Sequence, residues 1–389
     1  MTLTVDVSRR LFLAGVGAAA GSFSLGMALP LPAVAQGMVP EVNAWVVIHP
    51  DERVVIRVAR SEMGQGTLTG LCQLVAEELE ADWSKVTWEY PTPGQNVARG
   101  RVWRNFSTGG SRGIRESEQY VREGGAAARM MLVAAAAMQW GVPDLECKAE
   151  KGVITHRPTG RQTSFGRVAA LAARIPPPPA VVLKDPATWT IAGKPLKRLD
   201  TADKLNGRQV YGADMRLPGM LNAAIRDCPV FGGKLVSFDA VKVSGMPGVR
   251  AVVRVDASTV AVVADTWWQA KTALDALPIV WDEGPNAKVS SETIAAMLKE
   301  GLDADQAYEG NRRGDAKAAL AGAARRIEAV YSYPFQNHAC MEPMNATALW
   351  TPERCEVWCP TQNGEAAFAA AVAASGLPAA RCDVYKLHL

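Results

Sequence analysis

The sequence of 389 residues has few aromatic residues, only four histidines and almost no charge imbalance. Lysine and arginine number 42 against 39 aspartates and glutamates, and no basic block is longer than two residues, which argues against a nucleic-acid-binding protein. Hydrophobic residues make up 48% of the chain and the net charge is only +3, so a mainly disordered protein is excluded. At about 150 residues per domain, the length predicts two or three domains.

The cysteines are not clustered either. There are seven, and only Cys355 and Cys359 lie close together in the sequence. Iron–sulfur clusters and structural zinc sites need grouped thiolates, so neither is predicted here. If the chain performs redox chemistry, its electrons must leave through another subunit. Most of the cysteines are predicted to be small core residues, with one disulfide as an alternative.

Residues 1–35 predict a twin-arginine signal peptide. The segment Ser8 to Leu13 contains Arg9-Arg10, an uncharged Gly/Ala-rich stretch follows, and an Ala-x-Ala site ends at Ala35. The stretch from Leu11 to Leu31 is also long enough for a membrane anchor, which is the alternative. Because the twin-arginine route carries folded proteins, the signal predicts a cofactor bound before export and a periplasmic protein, with membrane association left open.

The rest of the chain predicts an α+β fold. Hydrophobic patterning indicates a first domain over residues 38–175, with strands near Val46, Val54 and Val86 and helices over 67–79 and 115–140. The four prolines from Pro176 to Pro179 predict a linker over 176–194. The later segments are predicted as a small mixed β domain over 195–285, a helical connection over 286–325, and a strand–helix–strand segment over 326–389 with a strand from Tyr331.

Two glycine-rich loops precede predicted helices. Glu62-Met63-Gly64-Gln65-Gly66-Thr67 lies between a strand and a helix, and the N–H groups of the first helical turn are expected to bind an anion such as phosphate, with a plain tight turn as the alternative. The segment from Phe106 to Gly113 offers backbone donors, hydroxyl groups and an arginine. Two such loops indicate a bulky phosphorylated cofactor, although neither matches a phosphate loop or a dinucleotide fingerprint.

Two later segments carry polar side chains. His338 and Glu342 are four residues apart, but prolines at 334 and 343 disfavour a helix, so a polar network is favoured over a metal site. The segment from Val357 to Asn363 reads as a strand that ends in a proline-containing turn before a helix. The amide of Gln362 there is expected either to donate a hydrogen bond to a ligand or to cap the helix.

These four elements, in this order, resemble the molybdenum hydroxylases, the molybdopterin-binding subunits of xanthine dehydrogenase and aldehyde oxidase type. The exported isoquinoline 1-oxidoreductase beta subunits are the branch that the sequence resembles most. Residues 206–214 and 229–234 resemble parts of the α/β hammerhead domain of the family, and residues 335–347 and 360–362 resemble the start of its main molybdenum-binding domain. The resemblance thus implies an α+β molybdopterin-binding domain, a hammerhead domain and the truncated start of the main domain.

The resemblance also implies roles for individual residues. Gln362 falls on the catalytic glutamine whose amide hydrogen-bonds the oxo ligand of molybdenum and contacts the cofactor. The other implied cofactor-binding residues lie on the two glycine loops: Gly64, Gln65, Gly66, Thr108, Gly109, Gly110 and Ser111. His338 and Glu342 are implied to be structural, and no side chain is expected to ligate a metal.

The implied cofactor is molybdopterin, either plain or as the cytosine dinucleotide. The implied reaction oxidises an N-heteroaromatic compound or an aldehyde with oxygen from water, passing electrons to a small two-iron two-sulfur subunit, with a cytochrome c as a further candidate acceptor.

After the last strand the family has a Gly-Gly-Gly-Phe-Gly-Arg-Arg loop and, further on, a general-base glutamate, whereas this sequence ends at Leu389. We therefore expect half of a subunit, inactive without a C-terminal half as its partner. The alternative is a non-catalytic exported fragment or binding protein of the same fold without cofactor.

Overall fold

The computed structural model describes residues 41–306 and 308–389, so the predicted signal peptide and the alternative membrane anchor lie outside it. The chain forms two compact units. One runs to Met215 and resumes over Glu342–Leu389, and the other is Arg216–Met341. The first unit is therefore discontinuous in sequence. Within the described ranges, no helix combines the length and the apolar character needed to cross a membrane.

The first unit contains three small sheets and several helices. In the first sheet β2 lies between β1, which is antiparallel to it, and β3, which is parallel; β4, β5 and β6 form an antiparallel sheet. Up to Met215 its strands and helices are β1 (Val46–Ile48), β2 (Val54–Arg57), α1 (Thr67–Leu79), β3 (Val86–Glu89), α2 (Pro93–Ala98), α3 (Arg112–Arg115), α4 (Glu118–Trp140), β4 (Cys147–Glu150), β5 (Val153–His156), β6 (Gln162–Ser164), α5 (Phe165–Ala172) and α6 (Thr201–Leu205).

Helices α1 and α4 pack together in the core of this unit. The apolar side chains of α1 recur at helical spacing, and Leu68, Leu71 and Leu79 are buried. Gly125 in α4 allows close approach, because a Cβ atom there would lie 2.5 Å from the carbonyl oxygen of Val75. The bounds predicted for α1 are confirmed. The second predicted helix is divided in two, since residues 116 and 117 separate α3 from α4.

The chain after the proline run packs onto α1. The carboxylate of Glu77 accepts hydrogen bonds from the backbone N–H groups of Thr190, Ile191 and Ala192 at 2.5–3.0 Å. The backbone N–H of Lys184 donates to Glu78 at 3.0 Å. These bonds hold residues 184–192 against α1, within the part of the first unit that runs to Met215.

The first unit resumes with β12 (Thr347–Trp350), β13 (Cys355–Pro360), α11 (Gly364–Ser375) and β14 (Cys382–Leu387). Strand β13 is central, antiparallel to β12 and parallel to β14. Because β13 and β14 are parallel, their carboxyl ends meet at the same edge, with Pro360 opposite Leu387. The turn that carries Gln362 leaves from this edge.

The second unit has one three-stranded and one two-stranded antiparallel sheet, ordered β7-β10-β9 and β11-β8. Helix α8 covers one face of the first sheet, where Val260, Val262 and Ala264 are buried. The elements of this unit are β7 (Asn222–Asp227), β8 (Lys234–Phe238), α7 (Val241–Ser244), β9 (Val249–Arg254), β10 (Thr259–Ala264), α8 (Trp267–Ala276), β11 (Ile279–Asp282), α9 (Ser291–Gly301) and α10 (Ala316–Ala321).

Residues 322–346 contain neither helix nor strand, so the predicted strand from Tyr331 is wrong. Tyr331, Tyr333 and Phe335 in this stretch are exposed. Alternating aromatic residues favour a strand only where a neighbouring strand supplies hydrogen bonds, and no strand in the described part of the chain pairs with this segment. The next strand, β12, begins only at Thr347.

Candidate functional site

Three sequence-predicted segments meet at one place in the first unit. The backbone N–H of Ser61 donates to Oγ1 of Thr108 at 2.8 Å, and the backbone N–H of Thr108 donates to the carbonyl of Gln362 at 2.7 Å. The hydroxyl of Ser61 donates to the carbonyl of Thr361 at 2.7 Å. Thus the loop before α1, the loop before α3 and the turn after β13 are held together by direct hydrogen bonds.

The loop over residues 62–66 is held by its own carboxylate. Glu62 is fully buried, and its side chain accepts from the backbone N–H groups of Gly64 (2.8 Å), Gly66 (2.9 Å) and Leu68 (3.0 Å). Of these donors only Leu68 belongs to the first turn of α1, so Glu62 occupies part of that turn, as expected for a negative charge at the positive end of a helix. The binding of an anionic ligand by the first helical turn stays a prediction.

Arg198 and Asp200 complete this arrangement. Arg198 donates to the carboxylate of Glu62 at 3.1 Å and to the carbonyl of Gly64 at 2.7 Å. Its guanidinium also pairs with the buried Asp200, which Lys204 contacts at 2.6 Å. Burial alone would raise the pKa of Asp200, but hydrogen bonds from Arg198 and Lys204 outweigh it, and the pKa lies below its ordinary value.

Sequence reasoning missed Arg198 and Asp200, because they follow the proline run and match no spacing rule. For Gln65 the resemblance implies contacts to the cofactor through the backbone of the loop. Its side chain folds back on the loop, accepting from the N–H of Met63 at 2.6 Å and donating to the carbonyl of Ser61 at 3.0 Å. This leaves the backbone of Gln65, rather than its amide group, available to a ligand.

The second loop, residues 108–111, is held in a different way. Its carbonyl groups accept from arginine side chains, Gly109 from Arg112 at 3.2 Å and Gly110 from Arg115 at 3.5 Å. The backbone N–H groups of Gly109, Gly110 and Ser111 have no hydrogen-bond partner among the described residues. Three consecutive donors therefore remain on this loop.

The glycines of the two loops are of two kinds. Gly64, Gly66 and Gly109 face open space, with no atom within 4 Å of where a Cβ would lie, and Gly64 and Gly66 have φ of +97° and +86°. Gly113 instead packs against Thr67, which a Cβ would meet at 3.0 Å. Open backbone on both loops fits a broad ligand that approaches closely, so the residues present fit molybdopterin.

The turn after β13 decides between the two roles predicted for Gln362, which are capping α11 and donating a hydrogen bond to a ligand. The side chain of Asn363, not Gln362, caps α11 by accepting from the N–H of Ala366 at 3.1 Å. The amide Nε2 of Gln362 donates to the sulfur of Met63 at 2.8 Å, and Gln362 is exposed. The helix-cap role of Gln362 is therefore excluded, and its amide lies at the exposed edge of the first loop.

Buried ionisable groups of β14 and the residue after it lie behind the first loop. The Lys386 ammonium donates to the carbonyl of Ala59 at 2.5 Å, and burial, with the charge of Arg60, lowers the pKa of Lys386 to about 7. His388 is buried against Trp88 and Tyr90, and burial lowers the pKa of His388 to about 4. Charged residues within an otherwise apolar strand were the available sequence signal for these groups.

The segment with His338 and Glu342 forms no helix. Glu342 accepts from the backbone N–H of Ala213 at 2.7 Å and from the amide of Asn345 at 2.9 Å, whereas His338 is exposed. A polar network at Glu342 is thus confirmed, without His338. Within residues 41–306 and 308–389, no three or more His, Cys, Asp and Glu side chains group as a metal site.

Two family profiles, both described as molybdopterin cofactor-binding domain, match residues 7–213 and 300–388. The chain belongs to the molybdopterin cofactor-binding family. The predicted kinship with molybdenum hydroxylase subunits and the predicted α+β fold are thereby confirmed. The second match extends to the turn with Gln362, and the first covers both glycine loops.

Relatives of this family member include the beta subunit of isoquinoline 1-oxidoreductase from Brevundimonas diminuta, 29% identical over 371 residues that cover 85% of the chain and 47% of the relative. A membrane-bound aldehyde dehydrogenase (pyrroloquinoline-quinone) of Gluconacetobacter polyoxogenes is 30% identical, over 79% of the chain and 41% of the relative. A nicotinate dehydrogenase subunit of Pseudomonas putida is 28% identical, over 86% and 28%. The chain thus spans about half the length of these relatives, or less.

Among solved structures, quinoline 2-oxidoreductase from Pseudomonas putida 86 aligns with a TM-score of 0.39 and 19% identity, over 48% of this chain and 29% of that one. Aldehyde oxidoreductase from Desulfovibrio gigas aligns with a TM-score of 0.38 and 18% identity, over 48% and 26%.

Proposed function

We propose that the chain is the molybdopterin-binding part of a molybdenum hydroxylase subunit that oxidises an N-heteroaromatic compound or an aldehyde with oxygen from water. The loop over Gly64–Gly66, the loop over Thr108–Ser111 and Gln362 hold the cofactor. Electrons pass to a separate two-iron two-sulfur subunit, because the cysteines of this chain are not grouped for a cluster.

The observation that carries the proposal is the meeting of three distant segments around open glycine backbone. Thr108 forms hydrogen bonds with both Ser61 and Gln362, so the two glycine loops and the Gln362 turn are joined at one place. The open flanks of Gly64 and Gly109 leave room for a broad ring system. Family membership and the names of the three relatives support the same activity class.

Molybdopterin, when bound, supplies the redox-active metal that accepts electrons from the substrate. The residues of this chain contribute positioning and hydrogen bonds. Glu62 and Arg198 fix the first loop before any ligand arrives, and the second loop offers the N–H groups of Gly109, Gly110 and Ser111 to negatively charged groups. The amide of Gln362 is a preorganised donor beside the first loop.

Metal and pterin content test this function. The chain should be purified from a host that makes molybdopterin, alone and after co-expression with a polypeptide that begins at a Gly-Gly-Gly-Phe-Gly loop. Molybdenum is measured by mass spectrometry, pterin by the fluorescence of its oxidised derivative, and turnover with quinolines and aldehydes. We expect molybdenum, pterin and turnover only in the co-expressed preparation. A folded pair without pterin would support the cofactor-free binding protein instead, and turnover by the chain alone would contradict the proposed division of the subunit.

We also propose that the protein is exported to the periplasm through Arg9 and Arg10, which the motif of residues 8–13 supports. Replacing both arginines by lysine should leave uncleaved precursor in the cytoplasm, as fractionation and N-terminal sequencing would reveal. Periplasmic protein cut after Ala35 in that variant would contradict the proposal.

A further inference from the structure

Two cysteines lie opposite each other in the sheet that carries the Gln362 turn. Strands β13 and β14 are parallel, and Cys355 is the register partner of Cys382. Side chains of register partners point to the same face of a sheet. Both cysteines are only 5% exposed and belong to one apolar cluster with Phe368 and Val384.

The spacing of neighbouring strands suits a disulfide between these residues. Adjacent strands are about 4.8 Å apart, and the Cα atoms of bonded cysteines are usually about 4.4–6.8 Å apart. Burial raises the pKa of Cys355, and the nearby Cys382 raises it further, which agrees with the proximity that the strand register gives.

The other cysteines do not offer such a partner. Cys359, the nearest to Cys355 in sequence, is four residues along the same strand, which places it about 13 Å away, beyond the roughly 7 Å limit for a disulfide. The register partner of Cys359 is Lys386. Among the strands that the structure describes, no other register pair joins two cysteines.

We propose that Cys355 and Cys382 form a disulfide when the chain folds in the presence of a low-molecular-weight disulfide. The thiolate of one cysteine attacks a sulfur of that disulfide, which releases one small thiol and leaves a mixed disulfide. The thiolate of the second cysteine then displaces the second small thiol. Two protein thiols are oxidised to one disulfide, and one small disulfide is reduced to two thiols.

Burial decides when this exchange happens. The thiolate is the nucleophile, and both thiols lie in an apolar cluster away from solvent, so exchange in the folded chain is slow. During refolding the sulfurs are accessible, and pairing of β13 with β14 brings them together. The closed bond encloses α11 and ties the starts of the two strands whose far ends carry Gln362 and His388. It restricts the unfolded chain and thereby raises stability.

Refolding with oxidised glutathione tests the proposal. The reduced, denatured chain is refolded with oxidised or only reduced glutathione, free thiols are alkylated, and peptides are mapped by mass spectrometry without reduction. We expect a cross-linked peptide pair containing Cys355 and Cys382 and lacking the mass of two hydrogen atoms. We also expect a melting temperature about 5 °C higher than that of the reduced chain.

Three variants make the result specific. Cys355→Ala and Cys382→Ala should each abolish the cross-link and the difference in melting temperature, whereas Cys359→Ala, equally buried in the same strand, should keep both. Alkylation of both thiols after oxidative refolding would overturn the proposal, and so would a cross-link to another cysteine or stable glutathione adducts on Cys355. The wild-type peptide map decides the question even if a variant folds poorly.

Discussion

The two glycine loops look alike in sequence but are stabilised in opposite ways. In the loop before α1, the carboxylate of Glu62 satisfies three backbone donors, and Arg198 holds both that carboxylate and the carbonyl of Gly64. In the loop before α3, arginine side chains bind the carbonyl groups, and the N–H groups of Gly109 to Ser111 stay open. A glycine-rich loop before a helix therefore does not by itself reveal whether backbone donors are left for a ligand.

This difference assigns complementary tasks to the loops. The first is complete without a ligand, because buried charge fixes its shape, and it offers Cα surface at Gly64 and Gly66. The second supplies donors and depends on Thr108 for its attachment to the first. A substitution that removes the buried charge of the first loop should therefore lower the free energy of unfolding more than one that removes a charge near the second loop.

Glu62→Ala should lower the free energy of unfolding by about 4 kcal/mol, because three backbone donors and the guanidinium of Arg198 lose their buried acceptor. Urea unfolding followed by circular dichroism measures the change. The matched variant is Glu116→Ala, just after α3, whose exposed carboxylate lies 3.6 Å from Arg60 and 3.8 Å from Arg112, and it should cost under about 1 kcal/mol. Equal losses in both variants would remove the distinction between the loops.

The free energy of unfolding should depend on pH through His388, which lies behind the first loop. Burial lowers the pKa of His388 to about 4, and the positive charges of Lys204 and Arg198 act in the same direction. The carboxylates of Asp200 and Glu62 raise this pKa but do not outweigh burial. Below pH 6.5 the unfolded chain binds a proton that the folded chain takes up only near pH 4, so stability falls as the pH falls between these values.

From pH 6.5 to about pH 5 the expected loss is about 2 kcal/mol. His388→Phe keeps the ring between Trp88 and Tyr90 and should flatten the curve over this range, as urea unfolding at a series of pH values would measure. His338→Ala, at an exposed position, is the control and should leave the curve unchanged. A His388→Phe curve as steep as that of the wild type would show that other groups bind the proton.

Thr108→Val tests the attachment between the loops. It removes the acceptor for the buried N–H of Ser61, and the expected loss in the free energy of unfolding is about 1 kcal/mol. Thr155→Val in β5 removes a hydrogen bond from Gln162 at the surface and should cost less. In the cofactor-loaded enzyme we expect Thr108→Val, but not Thr155→Val, to lower pterin content. Unchanged pterin content would mean that the loops bind independently.

Gln362→Ala should have the smallest effect on stability, within about 0.5 kcal/mol, because Gln362 is exposed and does not cap α11. In the complete subunit, turnover should nevertheless fall by about 10²–10³ at unchanged molybdenum content, as for loss of one preorganised donor. Gln362→Glu, of the same shape without the N–H donor, should show the same loss. Full turnover at full metal loading would remove Gln362 from the proposed site.

Local pattern was enough to predict much of the fold. The apolar spacing of residues 67–79 predicts the bounds of α1, and the β-branched runs at Val46 and Val54 form strands, since each pattern matches its burial. The strand expected from Tyr331 failed because a strand also needs a partner. The cofactor family and the segments of the site followed from motifs. The bonding of those motifs to one another did not, because Ser61, Thr108 and Thr361 are joined only by tertiary structure.

Arg198 and Lys386 mark the limit of sequence reasoning at the site. A lysine in an apolar strand signals that something is unusual, but not that its ammonium will meet the carbonyl of Ala59, 327 positions earlier. The role of Glu62 is also beyond the motif. Nothing in the sequence indicates that its carboxylate accepts from the backbone N–H groups of Gly64 and Leu68.

The bond between Ser61 and Thr361 has a consequence for the order of events during synthesis. The two residues are 300 positions apart, and the whole second unit is translated between them. At about 5–20 residues per second, the ribosome needs about 15–60 s to make that stretch. For most of this time both glycine loops exist without the turn that closes them, so the site is assembled only after Thr361 and Gln362 have been made.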